Sequence, residues 1–346
     1  MIQDEFCITL YRVISTKETS CWLSIQTVAT RRTAIALAGI VACLAFLHFV
    51  EPPTDTHFLR ELLSTGHILV FGLIALLALV SQQSRDVKAY LGAFVFTLAL
   101  GAASELLQSF SPDRDASLAD LARDASGAAV FLCLAAIWRR ESRDSISSVV
   151  LAVVAVLSLS AGVAPLVLVA RDYAGRDATF PNFCCFTGTW EQRFVETNSV
   201  ELEPVAPPPG ERGTGWARLR FFPAKWPGVT IEEVYPDWRD YEALSFEIYS
   251  DNPVSVALGL RVDDRANDNR DYYDRFNRNL SIEPGLNGFQ VPIAEILDAP
   301  SNRRMPVRHM RRILLFAVDP PRPFTLYWNG FRLVRAEPGT KSPSRG

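Results

Sequence analysis

Five apolar stretches dominate the first half of the sequence, and each is long enough to cross a lipid bilayer as a helix. The hydrocarbon core of a bilayer is about 30 Å thick and takes roughly 20 apolar residues of α-helix. The stretches cover residues 33–50, 62–80, 87–107, 121–137 and 146–170. Polar residues lie mainly near their ends, whereas the helices of a soluble domain repeat polar residues along one face. The pattern predicts a bundle of five membrane-spanning helices.

The composition changes sharply at Arg171. The preceding residues are rich in Ala, Leu and Val, whereas the following ones are rich in Asp, Arg, Asn, Pro and Trp. A length of 346 residues fits two domains better than one. We therefore predict a cytoplasmic tail, a transmembrane domain, a β domain outside the cytoplasm and a short tail at residues 1–30, 31–170, 171–340 and 341–346. The acidic residues of the first segment disfavour a signal peptide.

Basic residues mark one side of the predicted bundle. They cluster before the first span, between the second and third, and after the fourth, at Arg12, Lys17, Arg31, Arg32, Arg85, Lys88, Arg139, Arg140 and Arg143. Short loops rich in Lys and Arg remain in the cytoplasm. We expect a multi-pass protein of a bacterial inner (cytoplasmic) membrane, with its N-terminus in the cytoplasm and its β domain in the periplasm or outside the cell.

Polar residues in and beside the spans form a second pattern. The candidate catalytic set is His67, Glu105, Gln108, Arg114, Asp120 and Asp124. The predicted topology places all six at the outer membrane surface. Two interpretations remain open: Glu105 pairs locally with Arg114 or Arg123, or the set forms a site. In such a site His67 or Glu105 exchanges protons and Arg114 binds an anion.

The segments TGHILVFGLIALL and ELLQSFSPDRDASLADLARDASGAAV carry a family resemblance. Residues 62–137 resemble the VanZ-like membrane protein family. The matching positions are His67, Glu105, Gln108, Arg114, Ser117, Asp120 and Gly127. Asp124 stands where that family usually has Asn, which puts in doubt any role needing a neutral amide. The resemblance implies a cell-envelope role, with low-level glycopeptide resistance in one branch of the family, and implies no defined reaction.

The second half alternates short apolar runs with turns. ARLRFF, ALSFEIYS, SVALGLRV, LNGFQVPI, RRILLFAV and FTLYWNGFRLV are predicted strands. Regular spacing of such strands favours an all-β sandwich. The series from Trp226-Pro-Gly through LRVDD and YYDRFNR to LYWNGFRL resembles a jelly-roll, carbohydrate-binding-module-like domain of the galactose-binding type, over about residues 184–334. Asn329 stands where such domains often carry Asp. The resemblance implies glycan binding.

Sugar recognition needs flat aromatic faces and forked polar groups. The predicted substrate-binding set is Trp226, Trp238, Asp263, Asp264, Arg265, Tyr272, Tyr273, Asp274 and Trp328. Core packing remains the alternative role for the aromatic residues. Residues 261–275 have two alternatives, a solvated loop with internal ion pairs or carboxylates that hold a structural Ca²⁺. No other cofactor is indicated.

Charge and cysteine content narrow the function classes. A net charge of −3 gives no field that favours nucleic acid. Six cysteines without CxxC spacing, and only four histidines, disfavour a zinc site. Membrane lipid and an envelope glycan or polysaccharide are the expected partners, with the oligomeric state left open. Three functions remain: an accessory glycan-binding protein, a membrane enzyme acting on a lipid-linked or cell-wall substrate, and a transporter. The absence of an inverted repeat disfavours the transporter.

Overall fold

The computed structural model describes residues 30–47, 56–82, 86–108, 117–139, 145–184, 186, 188–267 and 271–335. The chain divides into two compact units, Met1–Val169 and Ala170–Gly346. Apart from Thr30, the predicted terminal tails lie outside the described residues, as do Arg114 and Cys185.

Five long helices form the first unit and lead into the second. They are α1 (Thr30–Leu47), α2 (His57–Ser81), α3 (Val87–Gln108), α4 (Leu118–Trp138) and α5 (Ser145–Thr179). Within the described residues, all five are long and apolar enough to cross a membrane. The predicted helical bundle is confirmed, and the two largest differences lie at helix ends. Helix α2 begins before the predicted residue 62, and α5 continues past residue 170 to Thr179.

Small residues allow α2 and α4 to pack closely. A Cβ added at Gly127 would lie only 2.2 Å from the carbonyl oxygen of Ile68. One added at Gly72 would lie 2.3 Å from the Phe131 ring. Helices in membranes associate largely through such close packing, because burial between them removes no water. Gly127 therefore sets how closely α4 approaches α2.

Ten antiparallel strands form two five-stranded sheets within the described part of the second unit. The first sheet has the order β1-β4-β9-β6-β7 and the second β2-β3-β10-β5-β8. The strands are β1 (Val195–Asn198), β2 (Val200–Val205), β3 (Trp216–Phe221), β4 (Gly228–Ile231), β5 (Ala243–Ser250), β6 (Val256–Asp264), β7 (Phe276–Ile282), β8 (Gly285–Pro292), β9 (Met310–Phe316) and β10 (Phe324–Val334). A short helix, α6 (Ile293–Leu297), follows β8. This confirms the predicted β-sandwich.

Alternate residues of the strands build the sandwich core. In β5, Phe246 and Ile248 are buried, and in β10 Leu326 and Trp328 are buried. Their sequence neighbours of opposite parity point to the outer face, because successive strand residues alternate in direction. This alternation leaves an outer face of the second sheet available for function.

The last turns of α5 belong to the second unit. The Tyr173 hydroxyl donates a hydrogen bond to the Glu233 carboxylate. The Arg176 guanidinium donates to the Glu233 carbonyl oxygen at 2.8 Å and lies 4.6 Å from the Tyr173 ring centroid. Tyr173 also packs edge-on against Phe194, with centroids 5.1 Å apart. These contacts hold residues 171–179 in a helix although they are polar.

Candidate functional site

A polar cluster forms where α2, α3 and α4 meet. His67 Nδ1 lies 2.9 Å from Asp124 Oδ1, within hydrogen-bond distance. Asp124 is fully buried. A Cβ added at Gly101 would lie 2.6 Å from Asp124 Oδ2, so glycine at this position of α3 leaves room for the carboxylate.

Glu105 lies in the same region of the bundle. Its Oε2 accepts a hydrogen bond from the Ser117 backbone N–H at 2.7 Å, at the N-terminus of α4. Glu105 Oε1 and Asp124 Oδ2 are buried and have no hydrogen-bond partner among the described residues. Buried carboxylate oxygens without partners are costly and mark candidate functional groups.

Arg123 is held by two carboxylates rather than by Glu105. Its guanidinium forms short ion pairs with Asp120, one turn earlier on α4, and with Glu61 on α2. The alternative that Arg123 neutralises Glu105 is therefore not what the structure shows. Glu61 was missed because it precedes the predicted second span. Gln108, another residue of the predicted catalytic set, is the last residue of α3.

Two predicted sugar-binding tryptophans belong to the sandwich core. Trp238 and Trp328 are both 0% exposed. The Trp238 indole N–H donates to the Tyr235 carbonyl oxygen at 2.8 Å, and its ring packs against Phe183. This corrects the expectation that these rings stack on sugars, because a ring without exposed surface cannot meet a ligand. Trp216, which has the same chemistry, is also buried.

Predicted acidic ligands of the β domain form internal ion pairs. Asp263 is 1% exposed and pairs with two arginines of the first sheet, Arg261 and Arg312. This corrects its assignment to sugar binding, because those guanidiniums already occupy the buried carboxylate.

Arg303 links two further predicted ligands, Asp264 and Asp274. The Arg303 guanidinium donates to Asp264 Oδ1 at 2.7 Å and also binds Asp274. These hydrogen bonds raise the pKa of Arg303 well above its ordinary value. Asp264 is 0% exposed, so it too is corrected from ligand to structural residue. Within the described residues no cluster of His, Cys, Asp or Glu is arranged to hold a metal ion.

The remaining predicted residues are exposed but dispersed. Trp226 is 50% exposed and Tyr272 59%, and Tyr273 and Arg265 are also exposed. Trp226 contacts Phe316, the last residue of β9, with ring centroids 5.9 Å apart. Tyr272 follows β6, which ends beside the first residue of β9. Trp226 therefore lies at the opposite end of the first sheet from the tyrosine pair.

The outer face of the second sheet carries an aromatic pair that the sequence analysis missed. Tyr249 of β5 lies directly opposite Tyr327 of β10, and their rings pack edge-on with centroids 6.0 Å apart. Both are half-buried. On the far side of Tyr249 the register places Leu286, which is 46% exposed. On the far side of Tyr327 it places Arg218. The row crosses four neighbouring strands.

A polar row runs beside this aromatic row. Asn329 Nδ2 donates to Glu247 Oε2 at 3.0 Å, and both side chains are half-buried. The next position in register is Gly288, where an added Cβ would meet nothing within 4 Å. We call Tyr249, Tyr327, Glu247 and Asn329 the tyrosine face. It combines ring surfaces with amide donors and carboxylate acceptors beside open space.

Strand alternation could have identified this face. In FTLYWNGFRLV, Leu326 and Trp328 point inward, so Tyr327 and Asn329 must point outward. Residue type favoured the tryptophan as a sugar-binding residue, whereas strand parity favours its two neighbours.

Comparisons with known proteins inform only the second unit. No family model matches the chain, and no curated protein matches it. The family 11 carbohydrate-binding module from Clostridium thermocellum, solved with a β-1,3-1,4-mixed-linked tetrasaccharide, is 10% identical, with a TM-score of 0.36 over 44% of this chain and 93% of that one. An exo-β-agarase is 15% identical, with a TM-score of 0.36 over 45% of this chain and 25% of that one. A carbohydrate-binding module specific for non-crystalline cellulose is 12% identical, with a TM-score of 0.30 over 46% of this chain and 95% of that one. These similarities concern the fold.

Proposed function

We propose that this chain is a membrane protein whose β-sandwich binds a glycan on the tyrosine face, in an accessory role in cell-envelope or exopolysaccharide biology. The observation that carries the proposal is the aromatic row of Tyr249 and Tyr327 beside the hydrogen-bonded pair of Glu247 and Asn329. Aromatic rings offer apolar surface for the C–H face of a sugar, while a carboxylate and an amide bind its hydroxyls.

The shape of the face favours a chain of sugar units over a single one. Neighbouring strands lie about 4.8 Å apart, so a row across several strands is extended and shallow. Leu286 and Gly288 lengthen it without closing it. A polysaccharide or lipid-linked glycan can follow such a surface, whereas a small metabolite would remain largely exposed.

The proposal places this unit outside the cytoplasm, on a VanZ-like membrane domain. Support comes from the basic segments on one side of the predicted spans and from the motifs around Glu105 and Asp120. In this arrangement the helical unit anchors the protein in the cytoplasmic membrane, and the sandwich samples envelope polysaccharide.

A glycan array probed with the purified full-length chain tests the binding. We expect a defined set of glycans to bind, and the Tyr249→Ala, Tyr327→Ala double variant to lose at least about tenfold in affinity, the equivalent of 1.4 kcal/mol. Val318→Ala, which shortens an exposed apolar side chain elsewhere, is the matched control. Loss in a Tyr272→Ala, Tyr273→Ala variant with full binding by the tyrosine-face variant would move the site to that loop. Absence of any bound glycan would refute the proposal.

A second candidate function, a membrane enzyme acting on a lipid-linked or cell-wall substrate, is favoured by the contact between His67 and Asp124. If Nδ1 donates to Asp124, Nε2 is left as a proton acceptor, the arrangement of a general base. Glu105, with one unpartnered oxygen, is the second proton-exchanging group. Arg114 remains the proposed anion-binding residue.

Abundance and phenotype separate this candidate from a structural role. If the cluster is catalytic, His67→Ala, Glu105→Gln and Asp120→Asn should leave protein abundance near wild type yet reproduce the envelope phenotype of the gene deletion. Ser126→Ala is the control, because that hydroxyl bonds only to its own helix. Normal phenotypes for all three variants would eliminate the enzyme candidate, whereas reduced abundance would assign the cluster to stability.

A further inference from the structure

The second unit contains a cleft separate from the tyrosine face. Its volume is about 690 Å³, within the range of about 300–1,000 Å³ typical of ligand sites. It lies where β10 ends and β5 begins, and Tyr241 on its wall precedes β5. Tyr249 is eight residues further along, so a rise of about 3.3 Å per residue separates the two sites by about 25 Å.

Three half-buried aromatic rings wall the cleft. The Phe180 and Tyr235 rings are tilted against each other, with centroids 4.1 Å apart and planes inclined by 33°. Tyr241 meets Phe180 edge-on at 5.3 Å. All three line the cleft, and none of them is fully buried. Such a wall suits a ligand with a flat face of C–H groups.

The charges that line the cleft fall into two classes. Arg239 binds Asp237 through two nitrogens, and these hydrogen bonds lower the pKa of the Asp237 carboxyl. Arg335 and Asp240, by contrast, have no side-chain ion pair with any described residue. The Arg335 guanidinium lies 5.2 Å from the Tyr241 ring centroid. A guanidinium above a ring face retains N–H groups that can bind a carboxylate in bidentate fashion.

We propose that this cleft binds an acidic sugar, a pyranose ring that carries a carboxylate. Arg335 binds the carboxylate, the aromatic wall contacts the C–H face, and Asp240 accepts hydrogen bonds from hydroxyls. A neutral sugar would leave Arg335 unpaired, and a simple anion would leave the rings uncovered. The inference extends the proposed glycan binding to a second site and names the class of glycan, a polymer containing uronic acid.

Methyl β-glucuronide is the direct probe, observed by saturation-transfer NMR with the purified full-length chain. We expect saturation transfer to the ring protons of the glucuronide with the wild-type chain. The Arg335→Gln variant should reduce this signal at least tenfold. Methyl β-glucoside should give a still weaker signal with the wild-type chain. Arg322→Gln is the matched control, because it removes an exposed arginine outside the cleft. The Tyr249→Ala, Tyr327→Ala variant should retain the signal. Thermal unfolding of each variant verifies that it is folded.

Three results would overturn the proposal: equal transfer to the glucoside, an unchanged signal in Arg335→Gln, or complete displacement of the glucuronide by an equal concentration of inorganic phosphate, which would indicate a simple anion site. The two proposals fail separately. Binding of array glycans without binding of the glucuronide would support the tyrosine face and refute the cleft proposal. Binding of the glucuronide without binding of any array glycan would support the cleft and refute the tyrosine face.

Discussion

The environment of Trp328 shows how the sandwich divides its aromatic residues between core and surface. Its ring has no exposed surface and packs against Phe331 and Phe186 at centroid distances of 4.9 and 5.4 Å. Trp226, with the same side chain, is half exposed. Only rings of the second kind can meet a ligand.

Replacing Trp328 by Ala should therefore lower the free energy of unfolding of the sandwich. Truncation of a buried Trp to Ala typically costs about 3–5 kcal/mol. The matched substitution Trp226→Ala should change the free energy of unfolding by less than about 1 kcal/mol. Denaturant unfolding followed by circular dichroism measures both. Equal stability of the two variants would contradict the burial assigned to Trp328.

Residue type alone therefore selected two rings, Trp238 and Trp328, that are buried in the core. The β-sandwich was predicted correctly, but residue type does not show which rings point into its core. Internal ion pairs were one alternative for Asp263 and Asp264, and Arg261 is a local partner of Asp263. Their other partners, Arg312 and Arg303, lie 49 and 39 residues away in sequence. No local spacing reveals such pairs.

Among the structural elements, apolar length predicts the five long helices well and their ends poorly. Helix α5 was predicted to end at residue 170 but continues to Thr179. The added turns are polar, and Tyr173 and Arg176 hold them through Glu233, which lies in a distant loop. The close approach of α2 and α4 could not be predicted either, because the sequence does not show which residues a glycine in a helix contacts.

Two glycines of the bundle provide a matched test of that packing. Gly127→Ala should lower the thermal stability of the detergent-solubilised protein, since the new methyl group would meet the Ile68 carbonyl. Overpacking of this kind costs about 1–3 kcal/mol. Gly66→Ala places its methyl group in open space and should be neutral or stabilising by up to about 1 kcal/mol. A harmless Gly127→Ala would refute the tight α2–α4 contact.

At the scale of the whole molecule, the boundary between Val169 and Ala170 falls inside one continuous helix. The sandwich therefore includes the last turns of α5 in its fold. A fragment covering residues 170–335 should unfold at a higher temperature than one covering residues 180–335. The free energy of unfolding should differ by about 1.5–3 kcal/mol between the two fragments, the usual contribution of a hydrogen bond to a charged group. Equal midpoints by circular dichroism would show that these turns contribute nothing.

The proposed binding of glycan to the tyrosine face, outside the cytoplasm, can be measured directly. Spheroplasts present the outer side of the membrane, and inverted vesicles from the same cells present the inner side. A fluorescent glycan chosen from the array should bind spheroplasts that carry the wild-type chain, and should bind neither inverted vesicles nor spheroplasts carrying the Tyr249→Ala, Tyr327→Ala variant. Binding to inverted vesicles alone would show that the sandwich lies in the cytoplasm. Undiminished binding by the variant would show that the glycan does not bind the tyrosine face.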